Sequence, residues 1–292
     1  MQNSEMVSVY SFVIMLRKDY RDRTAEREHL HALIEDLHDR FHVPILIFLY
    51  KGNNASLMKL SLSSELIHTI IFEEYSSAGH YINSALEQVK SPYCCVLWND
   101  TDIGISLDEQ LTRWLLEQNC ICAVPFSYDN QDELLPSIPI PLYHKDRGYE
   151  IMPVFPVHEG KDVFFPSDYM GIYDVELFKS IHGYDTVFIE GFWQLSDFGF
   201  SSWLRGKQVK VCLALRIRYL DTPPVLNTSR STHKRRFEAK HFKFSLDAEH
   251  KVQISRWNRK LIPDHLKDDY RRESKVLCLQ GKELIAEWRH GD

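Results

Sequence analysis

An α/β fold with a mainly parallel sheet and helices on both faces is predicted by three features of the 292-residue sequence. Short apolar runs rich in β-branched and aromatic residues recur through its first half. Helical patterns separate them, and the connections are short. Strand and helix in alternation give βαβ units, whose parallel sheet is covered on both faces. Such sheets bind ligands at the carboxyl ends of their strands, so polar residues at a strand end are the candidates for chemistry.

Residues 9–16 (VYSFVIML) read as the first buried strand. Thr24 to Phe41 follows as a helix, with Leu30, Leu33, Ile34, Leu37 and Phe41 at helical spacing. Residues 44–50 (PILIFLY) form a second strand, ended by the turn signal Gly52-Asn53-Asn54. A third strand, 68–75, leads into a helix from Ser77 to Val89. Residues 93–100 (YCCVLWND) are a fourth strand, with a helix from Leu107 to Gln118 behind it, and 121–128 (ICAVPFSY) is a fifth. Between 129 and 165 recurrent proline disfavours helix, so loops and edge strands are expected. Helices are expected over Val175–Ile181 and Leu195–Leu204, then a strand over 209–220. Beyond Pro223-Pro224 the composition turns polar and basic, with two helical patterns to the end.

Hydrophobic residues at 44% and charged residues at 26% are ordinary globular usage, which excludes disorder. A net charge of -6 argues against a general nucleic-acid binder, which needs a basic face. Six cysteines, 94, 95, 120, 122, 212 and 278, show no Cys-x-x-Cys pair. They read as buried, reduced thiols, which points to the cytoplasm. No segment approaches the roughly 20 apolar residues of a membrane span. A soluble protein, with peripheral association at the inner membrane face, is the expectation.

The strongest local signal is Trp98-Asn99-Asp100-Thr101-Asp102 at the end of the fourth strand. Two carboxylates at this spacing can face Mn²⁺ or Mg²⁺, which binds one or two carboxylates plus substrate phosphates. Alone, Asp-x-Asp is common in turns and caps. The order of motifs around it is more specific. The strands 9–16 and 44–50, then SAGHYINSALEQVKSPYCCVLWNDTDI, then FFPSDYMGIYDVELFKSIHGYD and SDFGFSSWLRGKQVKV, resemble a GT-A glycosyltransferase of the family 2 type.

That resemblance covers roughly residues 9–220 and implies a GT-A, Rossmann-like sheet with a C-terminal helical extension. Residues 1–222 would be the transferase domain, its nucleotide-sugar half about 1–128 and its acceptor half about 129–222. Residues 223–292 would supply a lid and the extension. It further implies a metal-dependent, inverting transfer from a nucleotide-diphosphate sugar to a glycan or lipid-linked glycan, as in surface polysaccharide biosynthesis. Asp100 and Asp102 would hold the metal, with His233 completing its shell, and Arg236 would neutralise phosphate. Arg17, Asp19, Glu73, Asn83 and Asp100 take the nucleotide-sugar positions.

The family's Glu-Asp pair before the second helix is replaced by Gln194-Leu195. Asp197 is then the nearest acid for a general base, and a helix cap is its alternative role. Glu190 is the second catalytic candidate, also placed to bind acceptor hydroxyls beside the Trp193 indole. Two rival functions stand beside transfer. A sugar nucleotidyltransferase would want a glycine-rich phosphate loop, which RKDYRD lacks. A degenerate GT-A domain that binds glycans or partners is favoured by the missing acid pair.

Overall fold

The computed structural model describes residues 8–17, 23–50, 64–74, 76–144, 148–224, 232–241, 244–246 and 252–254. Thirteen strands and six helices lie within them. The strands are β1 (Tyr10–Met15), β2 (Ile45–Tyr50), β3 (Ile67–Phe72), β4 (Tyr93–Trp98), β5 (Thr101–Gly104), β6 (Cys122–Tyr128), β7 (Ile138–His144), β8 (Gly148–Val154), β9 (Asp162–Val163), β10 (Gly171–Asp174), β11 (Val209–Tyr219), β12 (Phe244–Leu246) and β13 (Val252–Ile254). The helices are α1 (Arg23–Phe41), α2 (Ala78–Gln88), α3 (Glu109–Gln118), α4 (Val175–Ser180), α5 (Gly191–Leu204) and α6 (Thr232–His241).

The central sheet runs in the order β3-β2-β1-β4-β10-β6-β11-β5, with β9 added to β11. Its pairs β3–β2, β2–β1, β1–β4 and β6–β11 are parallel. The apolar runs of β1 and β4 are buried at every residue. Such runs suit a sheet covered on both faces. Five cysteines are buried free thiols, and burial raises the pKa of each. Cys278 lies outside the described residues.

Two strands depart from the sequence reading. Gly171–Asp174 is an antiparallel strand between β4 and β6 rather than a prelude to helix. Thr101–Gly104 pairs antiparallel with β11 rather than forming an open loop after the Asp100 turn. Both are only four residues long, too short to carry a legible period-2 pattern. The proline-rich segment forms the antiparallel hairpin β7–β8, with prolines at 139, 141 and 153. It stands apart from the main sheet, where a missing N–H removes no central ladder bond. Past residue 241, where helix is expected, the described residues form a two-stranded ribbon, β12–β13.

Topology brings four side chains to one point. Parallel pairing of β1 and β4 sets Met15 opposite Trp98, so Arg17 and the Asn99-Asp100 turn leave the sheet together. Antiparallel β10 starts at the carboxyl end of β4, with Gly171 opposite Val96, and so delivers Asp168 to the same end. Tyr219, opposite Thr101, arrives on β11.

Candidate active site

Asp100 sits in the turn that leaves β4. Asn99 donates its backbone N–H to the Met15 carbonyl at 2.9 Å, and the Asn99 side-chain oxygen accepts the Arg17 backbone N–H at 3.0 Å. Leu220 donates to the Asp100 carbonyl at 3.0 Å. The turn is thus fixed from three strands.

Arg17 is the centre of the cluster. Its Nε donates to Asp100 Oδ2 at 2.9 Å, one terminal nitrogen donates to Asp168 Oδ1 at 2.9 Å, and the other to Asp168 Oδ2. The guanidinium lies 4.0 Å from the centre of the Trp98 ring, a cation–π contact. Tyr219 donates its hydroxyl to Asp168 Oδ2 at 3.0 Å, and Trp98 Nε1 donates to the Asp168 carbonyl at 2.8 Å. Burial would lower the arginine pKa, but Asp168 and then Asp100 outweigh it, and the net shift is upward. Burial raises the Asp100 pKa against the pull of Arg17. The Oδ1 atom of Asp100 is buried without a hydrogen bond among the described residues.

Asp168 is a member of this cluster that the sequence reading missed. It and Tyr169 both have positive φ, 52° and 64°. Side chains rarely adopt that region, and consecutive instances mark a geometry held by its surroundings. Asp168 also lines a cavity of about 420 Å³. Phe165, Phe192, Ile151, Pro139, Pro223 and Tyr219 are among its other walls. The volume suits a ligand of drug size.

The sequence candidates fall into three groups. Arg17 and Asp100 meet in the cluster just described. Asp102 points elsewhere: one row along the β5–β11 ladder, its Oδ2 accepts a hydrogen bond from Arg218 at 2.6 Å, where both side chains are more than two-fifths exposed. Each aspartate of the Asp-x-Asp pair therefore answers a different arginine. Among the described residues no three His, Cys, Asp or Glu side chains converge as a metal site. A divalent cation demands several oxygens at once. Here Asp100 Oδ2, both oxygens of Asp168 and Asp102 Oδ2 already accept from guanidinium groups, and Asp100 Oδ1 is the one oxygen of the Arg17 cluster left over. A single carboxylate oxygen does not make a site for the ion.

Glu190, His233 and Arg236 form the second group. Glu190 is the cap residue of α5, and its Oε2 is buried without a hydrogen bond among the described residues. His233 on α6 lies close enough to feel its charge. Burial lowers the His233 pKa, Glu190 opposes that, and Arg236 adds to it. Arg236 donates to the Val187 carbonyl at 3.4 Å. The residues expected in a lid therefore lie at the amino end of α5, with no contact to Asp102 among those described.

The third group is structural. Asp197 is 1% exposed, and Lys240 and His241 donate to its oxygens at 2.8–2.9 Å. Burial favours a raised pKa, but Lys240 and His241 together hold Asp197 below the usual carboxylate range. Its oxygens clamp α6 to α5, which leaves a hydroxyl no path to them. Trp193, 1% exposed, packs on Phe192 and Phe237, so no indole face is open to a sugar. Asn83 exchanges two hydrogen bonds with the Tyr184 backbone, at 2.8 and 2.9 Å. Gly183, at φ 62°, lies against that Asn83 oxygen too closely for any Cβ. Glu73 is exposed in the bend after β3. Asp19 lies outside the described residues.

Gln194, where the family 2 resemblance leads one to expect an acid, is fully buried and uses both ends of its amide. Oε1 accepts from the Gly79 N–H at 3.0 Å and the Tyr169 hydroxyl at 2.9 Å. Nε2 donates to Ser77 Oγ at 3.0 Å and the Asp185 carbonyl at 3.2 Å. It ties α2, the turn before β10 and the segment before α5 together.

No protein-family model and no curated protein matches this chain. Solved structures do match. GalNAc-T7, crystallised with UDP, GalNAc and Mn²⁺, superposes with a TM-score of 0.63 at 12% identity, over 92% of this chain and 55% of that one. S. aureus TarS gives 0.50 at 11% identity, over 98% and 53%. A 1–349 piece of TarS in complex with UDP-GlcNAc gives 0.54 at 10% identity, over 90% and 73%. All three are GT-A glycosyltransferases.

The fold is GT-A.

Identities this low establish the GT-A fold alone. The chain also spans only about half the length of GalNAc-T7 and of intact TarS. In such a sheet the end of the strands carrying Arg17 and Asp100 is the ligand-binding end. One of the two clusters of buried charge lies there, the other being Asp197 with Lys240 and His241 between α5 and α6. No helix among the described residues is long and apolar enough to cross a membrane.

Proposed function

We propose that this protein transfers a sugar from a nucleotide-diphosphate sugar to a glycan or lipid-linked glycan, with inversion. One observation carries the reading: the buried Arg17–Asp100–Asp168–Tyr219 cluster at the carboxyl ends of β1 and β4, opening beside a cavity. GalNAc-T7 with UDP and TarS with UDP-GlcNAc make uridine diphosphate sugars the first donors to test.

In this reading the donor diphosphate lies at Arg17 and the acceptor enters the cavity bounded by Asp168 and Phe192. The acceptor hydroxyl forms the new bond to the anomeric carbon. The carbon–oxygen bond to the diphosphate breaks, and its electron pair leaves on the diphosphate. Glu190, two residues before Phe192 and with an unpartnered buried oxygen, takes the hydroxyl proton. With Asp197 committed to α6, Glu190 is the better base. Work on an intermediate at the cytoplasmic membrane face is consistent with the absence of a spanning helix among the described residues.

The test is turnover of uridine diphosphate sugars by the purified protein, with Glu190→Gln and Asp197→Asn alongside. Glu190→Gln should slow transfer roughly 10²–10⁴-fold with donor affinity unchanged, the usual range for loss of a general base. Normal turnover by that variant removes Glu190 from the role. A second reading, a GT-A domain that binds without catalysis, is favoured by Gln194-Leu195 in place of the acid pair. Donor binding with neither hydrolysis nor transfer would support it.

A further inference from the structure

The resemblance to family 2 transferases leads to a divalent ion at Asp100, yet the residues around Asp100 fit a guanidinium instead. We propose that Arg17 is the resident cation of this site: it meets the donor diphosphate without a divalent metal, and its removal would convert the Asp100–Asp168 pair into a metal-binding site. The functional half of this statement rests on the donor reading above; the metal half does not.

Three observations support it. First, the guanidinium is built in rather than draped over the site. Its backbone N–H is held by Asn99, its side chain is 18% exposed, and its face stacks on Trp98. Second, three of the four carboxylate oxygens of Asp100 and Asp168 are spent on it, with Asp100 Oδ1 left over. Arg17 takes Asp100 Oδ2 and both oxygens of Asp168, while Asp102 is paired with Arg218 at the sheet edge. Third, arginine has five N–H donors in a planar fork. Three go to these carboxylates, which leaves two, one on each terminal nitrogen and on opposite sides of the fork, each able to donate to a phosphate oxygen.

Charge balance gives the converse. Two carboxylates around one guanidinium leave a net charge of about −1, and a divalent cation that took the Asp100 and Asp168 oxygens now bonded to Arg17 would have to displace the guanidinium. Without Arg17, both oxygens of Asp100 and both of Asp168 stand with only Tyr219 as a partner. Buried acids in that state attract a hard cation.

The deciding experiment is thermal unfolding of the full chain during titration with Mn²⁺ alone, in the wild type, Arg17→Gln, Arg17→Lys and Asp100→Asn/Arg17→Gln. The wild type and Arg17→Lys should show no Mn²⁺-dependent shift at millimolar ion. Arg17→Gln should be stabilised by Mn²⁺ in a saturable way, and the added Asp100→Asn should abolish the gain. If Arg17→Gln fails to fold, Mn²⁺ binding by the wild type and by Asp100→Asn still decides the matter. Saturable wild-type stabilisation that Asp100→Asn removes overturns the proposal. So does an Arg17→Gln protein that folds and ignores Mn²⁺. A uridine diphosphate titration then runs in parallel with EDTA and with Mn²⁺. Equal affinity in both supports the metal-free donor site, and binding only with Mn²⁺ overturns it. Binding in neither condition defeats the donor reading and leaves the Mn²⁺ results to stand by themselves.

Discussion

Asp197 and Gln194 occupy the stretch where the acids of a transferase are expected, and both hold the fold together. Removing Asp197 leaves Lys240 and His241 buried with much of their compensation gone, though Asp185 still reaches Lys240 at 3.0 Å. Breaking a buried pair from one side costs roughly 3–5 kcal/mol. Asp197→Ala should therefore lower the stability read from a urea transition by about that amount. An unchanged midpoint would contradict the structural role. For Gln194 the sensitive change is to Glu, the residue the family 2 resemblance leads one to expect there. A carboxylate can still accept from Gly79 and Tyr169, but it sets an oxygen against the Asp185 carbonyl, where the amide now donates. Gln194→Glu should destabilise by on the order of 2 kcal/mol, which the same urea transition measures.

The residues also show where sequence reading stops. Asp100 was legible because it follows an apolar strand, and strand ends carry ligand sites in this class of sheet. Asp168 was not, because Ser-Asp-Tyr before a glycine looks like any polar turn. Its importance comes from two consecutive positive φ values and from a strand pairing 75 residues from Asp100's own segment along no visible pattern. Asp102 was expected beside Asp100, yet the strand that follows the turn carries it to Arg218 instead.

Among the elements, α6 is the one most dependent on a few contacts. Phe237 is fully buried against Tyr149, Trp193 and Phe200, and Lys240 and His241 reach across to Asp185 and Asp197. Phe237→Ala should cost roughly 3–5 kcal/mol if α6 stays docked. A much smaller loss would mean that the helix detaches from α5. The same contact predicts a pH dependence. Burial lowers the His241 pKa more than Asp197 raises it. The unfolded chain therefore takes up a proton near pH 6.5 that the folded chain resists. The stability held at His241 is present above that pH and is lost as pH falls below it. Urea midpoints at pH 7.5 and 5.5 should converge in His241→Gln relative to the wild type; an identical pH slope in both would contradict the assignment.

At this scale the alternating strands and helices of the first half were legible from periodicity, within a residue or two at most ends. The four-residue strands β5 and β10 were not, since pairing partners rather than composition define them. Their antiparallel insertion delivers Asp168 and removes Asp102, so the site's detail lay in the part of the topology that periodicity does not encode.

For the whole molecule, the GT-A sheet gathers charge at one end and sets an apolar-walled cavity beside it. That arrangement would suit the proposed donor diphosphate and an acceptor held mainly by shape. The most direct test is a thermal-shift titration of the wild type and Asp168→Ala with uridine diphosphate and its sugars. A ligand at 100 times its dissociation constant adds roughly 2.7 kcal/mol of stability. The account predicts a saturable shift of that order in the wild type and a much weaker one in Asp168→Ala, whose Arg17 has lost two of its anchors. A well-folded wild type that responds to no nucleotide-diphosphate sugar would contradict it.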